Sequence, residues 1–325
     1  MRKLLVVLIF ATVACTGKYI RPVASGTVKA TPDLLKRGQY LVDQVTACGV
    51  CHSTREGGDI VHESERTDGY LAGGNLLIDK ALGVKLWVPN ITSDAKSGLG
   101  TWNDDEIMRA IRDGVHKDGH FLVPLMPYTA FRVMSDEDVR AMVAYLRSVP
   151  IVEQLRPRPQ NEIPFFFKTA VRLGAAAHLP ARDVHAPDRK DKLAYGGYLA
   201  HIAECIDCHN LGTRAPRGED DRFMAGSDRP FPEGGKVWSA NLTGDVETGL
   251  GRYSEAQIKE ALQRGRRLDG KKMAPPMNML IPHASGLTDD DMNALVAWVK
   301  ALPPVTYVVP PRELDEATKK ELGEE

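Results

Sequence analysis

The stretch "ACGVCHS" at residues 47–53 places two cysteines and a histidine within five positions, and "ECIDCHN" at 204–210 spells the same C-x-x-C-H again. Four of the chain's five cysteines are spent on these two motifs. Three chemistries use such a spacing. A thioredoxin-like pair needs a βαβ context, and the surrounding sequence has no strand–helix–strand pattern. A structural zinc site needs four ligands that can close a tetrahedron, which two motifs so far apart do poorly. Covalent haem attachment uses all five positions. Two cysteines three apart on one helical turn meet the two vinyl groups, and the adjacent histidine lies under the iron. The motifs therefore predict two haem c groups, with Cys48, Cys51 and His52 on one and Cys205, Cys208 and His209 on the other.

The sequence around the motifs is also written twice. "VPNITSDAKSGLGTWNDDEIMRAIRDG" at 88–114 aligns with "SANLTGDVETGLGRYSEAQIKEALQRG" at 239–265, and "MSDEDVRAMVAYLRSVP" at 134–150 aligns with "LTDDDMNALVAWVKALP" at 287–303. The first pair keeps one offset throughout, carrying Asn90 to Asn241, Gly98 to Gly249 and Gly100 to Gly251. Such self-similarity marks a duplicated unit. The boundaries it predicts are a signal peptide at 1–15, a first domain at 31–152, a linker at 153–192, a second domain at 193–305 and a loosely held charged tail at 306–325. The proline-rich linker is expected to carry a short helix from Phe165 to Ala177, with its Phe165-Phe166-Phe167 run packed against a domain.

Within each half the signals are helical. Thr31 precedes Pro32 as a helix start. Asn103 opens a helix whose first turn is acidic and which Gly114 ends. Ser135 and Thr288 start the closing helices, and Val139, Met142, Val143 and Leu146 recur at helical spacing. Gly38 and Gly196 are placed to let the first helix approach the last, under Tyr145 and Trp298. Strand signals are weak, and the predicted class is all-α.

The sixth iron ligand decides between electron transfer and small-molecule chemistry, because a methionine closes the iron. "LVPLMPYTAF" offers Met126, and "MAPPMNMLIP" offers Met273, Met277 and Met279. The repeat offset carries Met126 onto Met277, so the predicted iron ligands are His52 with Met126 and His209 with Met277, Met279 being the alternative in the second half. Met108, Met134, Met142 and Met292 read as core residues. His116, His120 and His283 stand in polar surroundings and read as surface histidines, with distal ligation as the competing reading. Trp87 with Trp238, and Trp102 with Tyr253, recur in equivalent places as pocket walls or core packing.

The chain has 325 residues, 42 basic and 43 acidic side chains, and a net charge of −1. It has no basic excess for a nucleic acid to recognise. Met1-Arg2-Lys3 followed by the apolar run Leu4–Ala14 and Cys15 has the form of an export signal. "ATVAC" is similar to the lipobox of bacterial lipoproteins, with Thr12 where leucine is usual. The expected location is periplasmic, tethered through a lipid on Cys15, with cleavage a little later by the ordinary peptidase as the alternative.

Each half resembles a class I cytochrome c, with a glycine on the first helix, C-x-x-C-H, a methionine–proline loop and an aromatic on the last helix. "PNITSDAKSGLGTW" and "PLMPYTAFRVMSDEDVRAMVAYLRSVP" are similar to the multihaem cytochrome c subunits of exported bacterial dehydrogenases such as alcohol dehydrogenase. The resemblance spans about residues 31–305. It implies two tandem cytochrome c domains and an electron carrier, rather than a catalyst, that takes electrons from a dehydrogenase partner and passes them to the respiratory chain. It also implies methionine ligation, directly at Met126-Pro127 and less directly at Met277-Asn278. A dihaem peroxidase is the alternative function.

Overall fold

The computed structural model describes residues 26–58, 64–79, 83–155, 161–166, 168–169, 183–210 and 222–324. The export signal and Cys15 lie outside the described residues. These gather into two compact units, one built mostly from the first repeat and the segment after it, the other mostly from the second repeat.

In the first repeat, α1 (Pro32–Tyr40) runs into a wider π-type turn at Leu41–Val45, and α2 (Cys48–His52) carries the first C-x-x-C-H. Thr31 caps α1 as expected, its Oγ1 accepting from the Leu34 amide at 3.3 Å. A hairpin follows, β1 (Leu76–Asp79) pairing antiparallel with β2 (Val84–Trp87). Next come α3 (Asp104–Asp113), the short α4 (Tyr128–Phe131) and α5 (Asp136–Ser148). Asn103 and Glu106 form a reciprocal capping box on α3, which Gly114 ends at φ 64°.

The second repeat supplies α6 (Lys192–Ile202), α7 (Cys205–His209), the two-residue strand β3 (Gly235–Lys236), α8 (Glu255–Arg264), α9 (Met277–Ala284) and α10 (Asp289–Lys300). Its caps repeat those of the first: Ser254 with Gln257 opens α8, Gly265 closes it, and Thr288 opens α10. Among the described residues the fold is all-α apart from two two-stranded sheets.

First and last helices meet in each repeat through a glycine. A Cβ on Gly38 would lie 1.9 Å from the Ala141 carbonyl oxygen and 2.8 Å from Tyr145 Cβ; one on Gly196 would lie 2.0 Å from the Ala294 oxygen and 2.8 Å from Trp298 Cβ. The backbones touch where no other residue fits, as the sequence predicts. Met134, Met142, Met292 and Met108 are buried core residues, again as expected.

Two expectations are corrected. The tail is not loose: β4 (Glu313–Leu314) pairs with β3, and α11 (Glu316–Leu322), capped by Asp315, buries Thr318 and Leu322. The few apolar side chains of this acidic and basic segment are enough because backbone pairing to β3 places them. Phe165 and Phe166 are 85% and 68% exposed instead of packed, since their helical turn faces solvent. Phe167 and most of the expected linker helix lie outside the described residues. No helix among the described residues is long and apolar enough to cross a membrane.

Candidate haem sites

The chain turns sharply into each C-x-x-C-H helix. Ala47 and Glu204, the residues before Cys48 and Cys205, hold φ of 47° and 61°, a left-handed conformation that costs a residue with a Cβ of order 1 kcal/mol. One turn of α2 then carries Cys48, Cys51 and His52, and one turn of α7 carries Cys205, Cys208 and His209. All four motif cysteines are half-buried. Burial pushes the Cys48 thiol up to about 11, and those of Cys205 and Cys208 up to about 12.

The histidines are held alike. His52 Nδ1 donates to the Pro89 carbonyl at 2.8 Å, and His209 Nδ1 donates to the Ala240 carbonyl at 2.7 Å. A proton fixed on Nδ1 leaves Nε2 of the neutral ring with its lone pair, the arrangement in which a second bond orients a metal-binding imidazole. Burial also pushes the His209 pKa down, favouring that neutral ring.

Each carbonyl is positioned by a backbone clamp that side-chain reading misses. The Gly73 amide donates to the His52 carbonyl at 2.6 Å, and the Ile91 amide to the Leu71 carbonyl at 3.0 Å. In the second repeat the Gly226 amide donates to the His209 carbonyl at 2.9 Å, and the Leu242 amide to the Met224 carbonyl at 2.9 Å. Gly73 and Gly226 have positive φ, and a Cβ on Gly73 would lie 2.4 Å from the Pro89 carbonyl carbon. The recurrence of Ala-Gly-Gly at 72–74 as Ala-Gly-Ser at 225–227 was the available signal.

The long repeated phrase serves structure. Asn90 Nδ2 donates to Ser97 Oγ at 3.0 Å and to the Val152 carbonyl at 2.8 Å, while its Oδ1 accepts from the Thr92 amide. Asn241 does the same with Thr248, Val305 and Thr243. This ties the loop that presents Pro89 or Ala240 to the chain beyond the last helix.

Met126 lies half-buried in the loop before α4, with its amide bonded to the Val123 carbonyl. Met277 is the first residue of α9, and Met273, Met277 and Met279 are all half-buried. The offset from Met126 to Met277 therefore survives, but the local structure differs: α4 starts two residues after Met126, whereas α9 starts on Met277 itself. Trp87 and Trp238 are half-buried. Tyr253 packs on the core cluster of Ile258, Met292 and Val296, and Trp102 stands edge-on to His116. His283 sits in α9 with Nδ1 engaged by a backbone carbonyl.

Comparison with known proteins matches the cytochrome c family over residues 35–150 and again over 194–303. The chain belongs to the cytochrome c family. It is 30% identical over 287 residues to the gluconate 2-dehydrogenase cytochrome c subunit of Pantoea cypripedii, covering 84% of this chain and 60% of that one. It is 31% identical over 298 residues to the alcohol dehydrogenase (quinone) cytochrome c subunit of Gluconacetobacter polyoxogenes, covering 86% and 59%. A protein described as a diheme cytochrome c-type from Cereibacter sphaeroides is 26% identical over 222 residues, covering 67% and 72%. The chain thus spans about 60% of the length of the dehydrogenase subunits it matches.

The fold class is that of tandem cytochrome c domains, and haem c is the family's cofactor. The residues present fit such a group: paired thiols on one helical turn, and beside them an imidazole whose Nδ1 is engaged by a main-chain carbonyl, so that Nε2 is the metal-binding nitrogen.

Proposed function

We propose that this cytochrome is a dihaem electron carrier that takes electrons from an exported dehydrogenase and passes them towards the respiratory chain. Cys48 and Cys51 would hold one haem c and Cys205 and Cys208 the other, with His52 and Met126, and His209 and Met277, as axial ligands. Bound haem supplies one-electron chemistry at a potential that methionine–histidine ligation raises. The protein's part is to hold each imidazole in one tautomer and orientation, through Pro89 and Ala240, and to exclude water around it. The observation that carries the reading is this matched pair of Nδ1–carbonyl bonds on two C-x-x-C-H helices. The dehydrogenase partner is supported by the relatives, which are cytochrome c subunits of dehydrogenases. Export to the periplasm and a lipid on Cys15 are supported by the N-terminal sequence.

An optical titration of the purified protein with carbon monoxide tests the reading. Two methionine-ligated irons show the thioether charge-transfer band when oxidised and leave the reduced spectrum unmoved by the gas. Ready binding of carbon monoxide to one reduced haem would rule out the closed carrier site in that domain and bring the peroxidase alternative forward.

A further inference from the structure

The two repeats share one tight turn and fill it with different chemistry. In the second repeat it is Arg267-Leu268-Asp269-Gly270-Lys271, with the Arg267 amide donating to the Lys271 carbonyl at 2.7 Å and the Gly270 amide to the Arg267 carbonyl at 2.9 Å. In the first it is His116-Lys117-Asp118-Gly119-His120, closed by the same two bonds, both at 2.9 Å. The glycines have φ of 84° and 92°. In each turn the carboxylate accepts from the last residue's amide at 3.1 Å. The backbone is one object, so the side chains make the difference.

In the second turn the Arg267 guanidinium lies 3.0 Å from Asp269. Arginine and lysine carry fixed positive charge and no lone pair. Histidine at both places removes the fixed charge, adds a lone pair per neutral ring, and keeps the carboxylate. His116 Nδ1 lies 3.0 Å and His120 Nδ1 2.5 Å from Asp118 Oδ1, and the candidate donor atoms of all three lie within 4.8 Å of one another.

We propose that the 116–120 turn is a binding site for a borderline divalent cation such as zinc, with His116, Asp118 and His120 as its three protein ligands. Two imidazoles and a carboxylate are a donor set zinc takes, with water completing the shell. Zinc bonds of about 2.0–2.2 Å set tetrahedral donor separations of about 3.3–3.6 Å, which the distances to Asp118 Oδ1 reach by opening about 0.3 Å at His116 and about 0.8 Å at the exposed His120. The His116 ring is held edge-on by Trp102 at 4.6 Å between centroids, and the His116 carbonyl accepts from Arg109 at 2.8 Å. His120 stacks on His116 at 4.4 Å and is 59% exposed, so it is free to turn towards a cation. Lys117, the one cation inside the turn, directs its ammonium to Thr101 Oγ1 at 2.9 Å and leaves Asp118 to the histidines.

Calorimetric titration of zinc chloride into the haem-loaded, untagged full chain tests this. The expected result is one zinc per chain at this turn, with X-ray absorption at the zinc edge showing two imidazoles. H116R/H120K, which installs the second repeat's pair and keeps the turn, is expected to weaken binding at least 100-fold. H120Q, at an exposed position on which the fold does not depend, is expected to weaken it at least tenfold. Unchanged haem spectra show that both variants fold. Zinc binding that survives H116R/H120K, or a wild-type chain that takes no zinc in the micromolar range, overturns the proposal.

Discussion

Replacing Gly196 by alanine probes whether the contact of first and last helix organises the second repeat. The new Cβ would lie 2.0 Å from the Ala294 carbonyl oxygen, so α10 must retreat by about 1.4 Å to reach ordinary contact. The neighbour is backbone and cannot rotate aside. A gap of that size forfeits more than half the dispersion attraction across the interface. Such overpacking lies near the upper end of the usual range, about 3 kcal/mol. Alanine returns about 1 kcal/mol of helix propensity, leaving a net loss of about 2 kcal/mol. The adjacent G197A gives the same propensity gain, but its Cβ meets one side-chain atom, Trp298 Nε1 at 2.9 Å, instead of the partner helix's backbone. Guanidinium unfolding of the haem-loaded protein, followed by tryptophan fluorescence, should show G196A about 0.5 M below wild type and G197A close to it. A midpoint for G196A at or above that of G197A would refute the close-contact argument.

Other outcomes follow from the same geometry. N241A strips the Thr243 amide of its partner and leaves the Val305 carbonyl with only the Thr243 hydroxyl, and is expected to cost about 2 kcal/mol, read from the same unfolding curves. M277L should abolish the thioether band of one haem of two, whereas M279L should leave both; the reverse result would move the ligand to Met279. Hydrogen bonds from the Thr248 amide and hydroxyl and from Thr306 hold the Asp245 carboxyl below its usual range. Its contribution is present above the ordinary carboxylate pKa of about 3.9 and is lost as pH falls through the lowered value, so D245N should flatten the acid limb of the stability–pH curve. R267H/K271H, which carries the histidine pair to the second turn, should raise the zinc stoichiometry from one to two.

What could be read from the sequence was local or carried by a side chain. Thr31, Asn103, Ser135 and Thr288 cap helices because an oxygen on a short side chain reaches an amide three residues on, and that reach is a matter of spacing. Gly38 and Gly196 were legible because a missing side chain under an aromatic on the partner helix has few other uses. The bonds that orient His52 and His209 were not legible, because the acceptor is a main-chain carbonyl and every residue has one; Pro89 and Ala240 share a function and no side-chain chemistry. The β3–β4 pairing was hidden for the same reason, and the tail was misread because its charge outweighed two buried side chains.

Duplication separates what both halves need from what each half does. The constant parts are the left-handed residue before the first cysteine, the glycine amide on the histidine carbonyl, the carbonyl on Nδ1, and the asparagine that ties the loop down. All of them set the orientation of one imidazole and resist its movement, which is what a carrier requires when the charge of its cofactor changes and the surrounding dipoles must not reorganise. The variable parts lie on the other side: methionine in an open loop before α4 against methionine at the first position of α9, and two histidines against arginine and lysine in the turn that leads there. Differences confined to that stretch, with the histidine side held constant, would set the two sites at different potentials through the methionine loop, not through the imidazole. Exchanging residues 115–127 with 266–278 between the repeats should therefore exchange the two midpoint potentials while leaving each C-x-x-C-H helix in place. Potentials that stay with the C-x-x-C-H helices after the exchange would show that the imidazole side governs them.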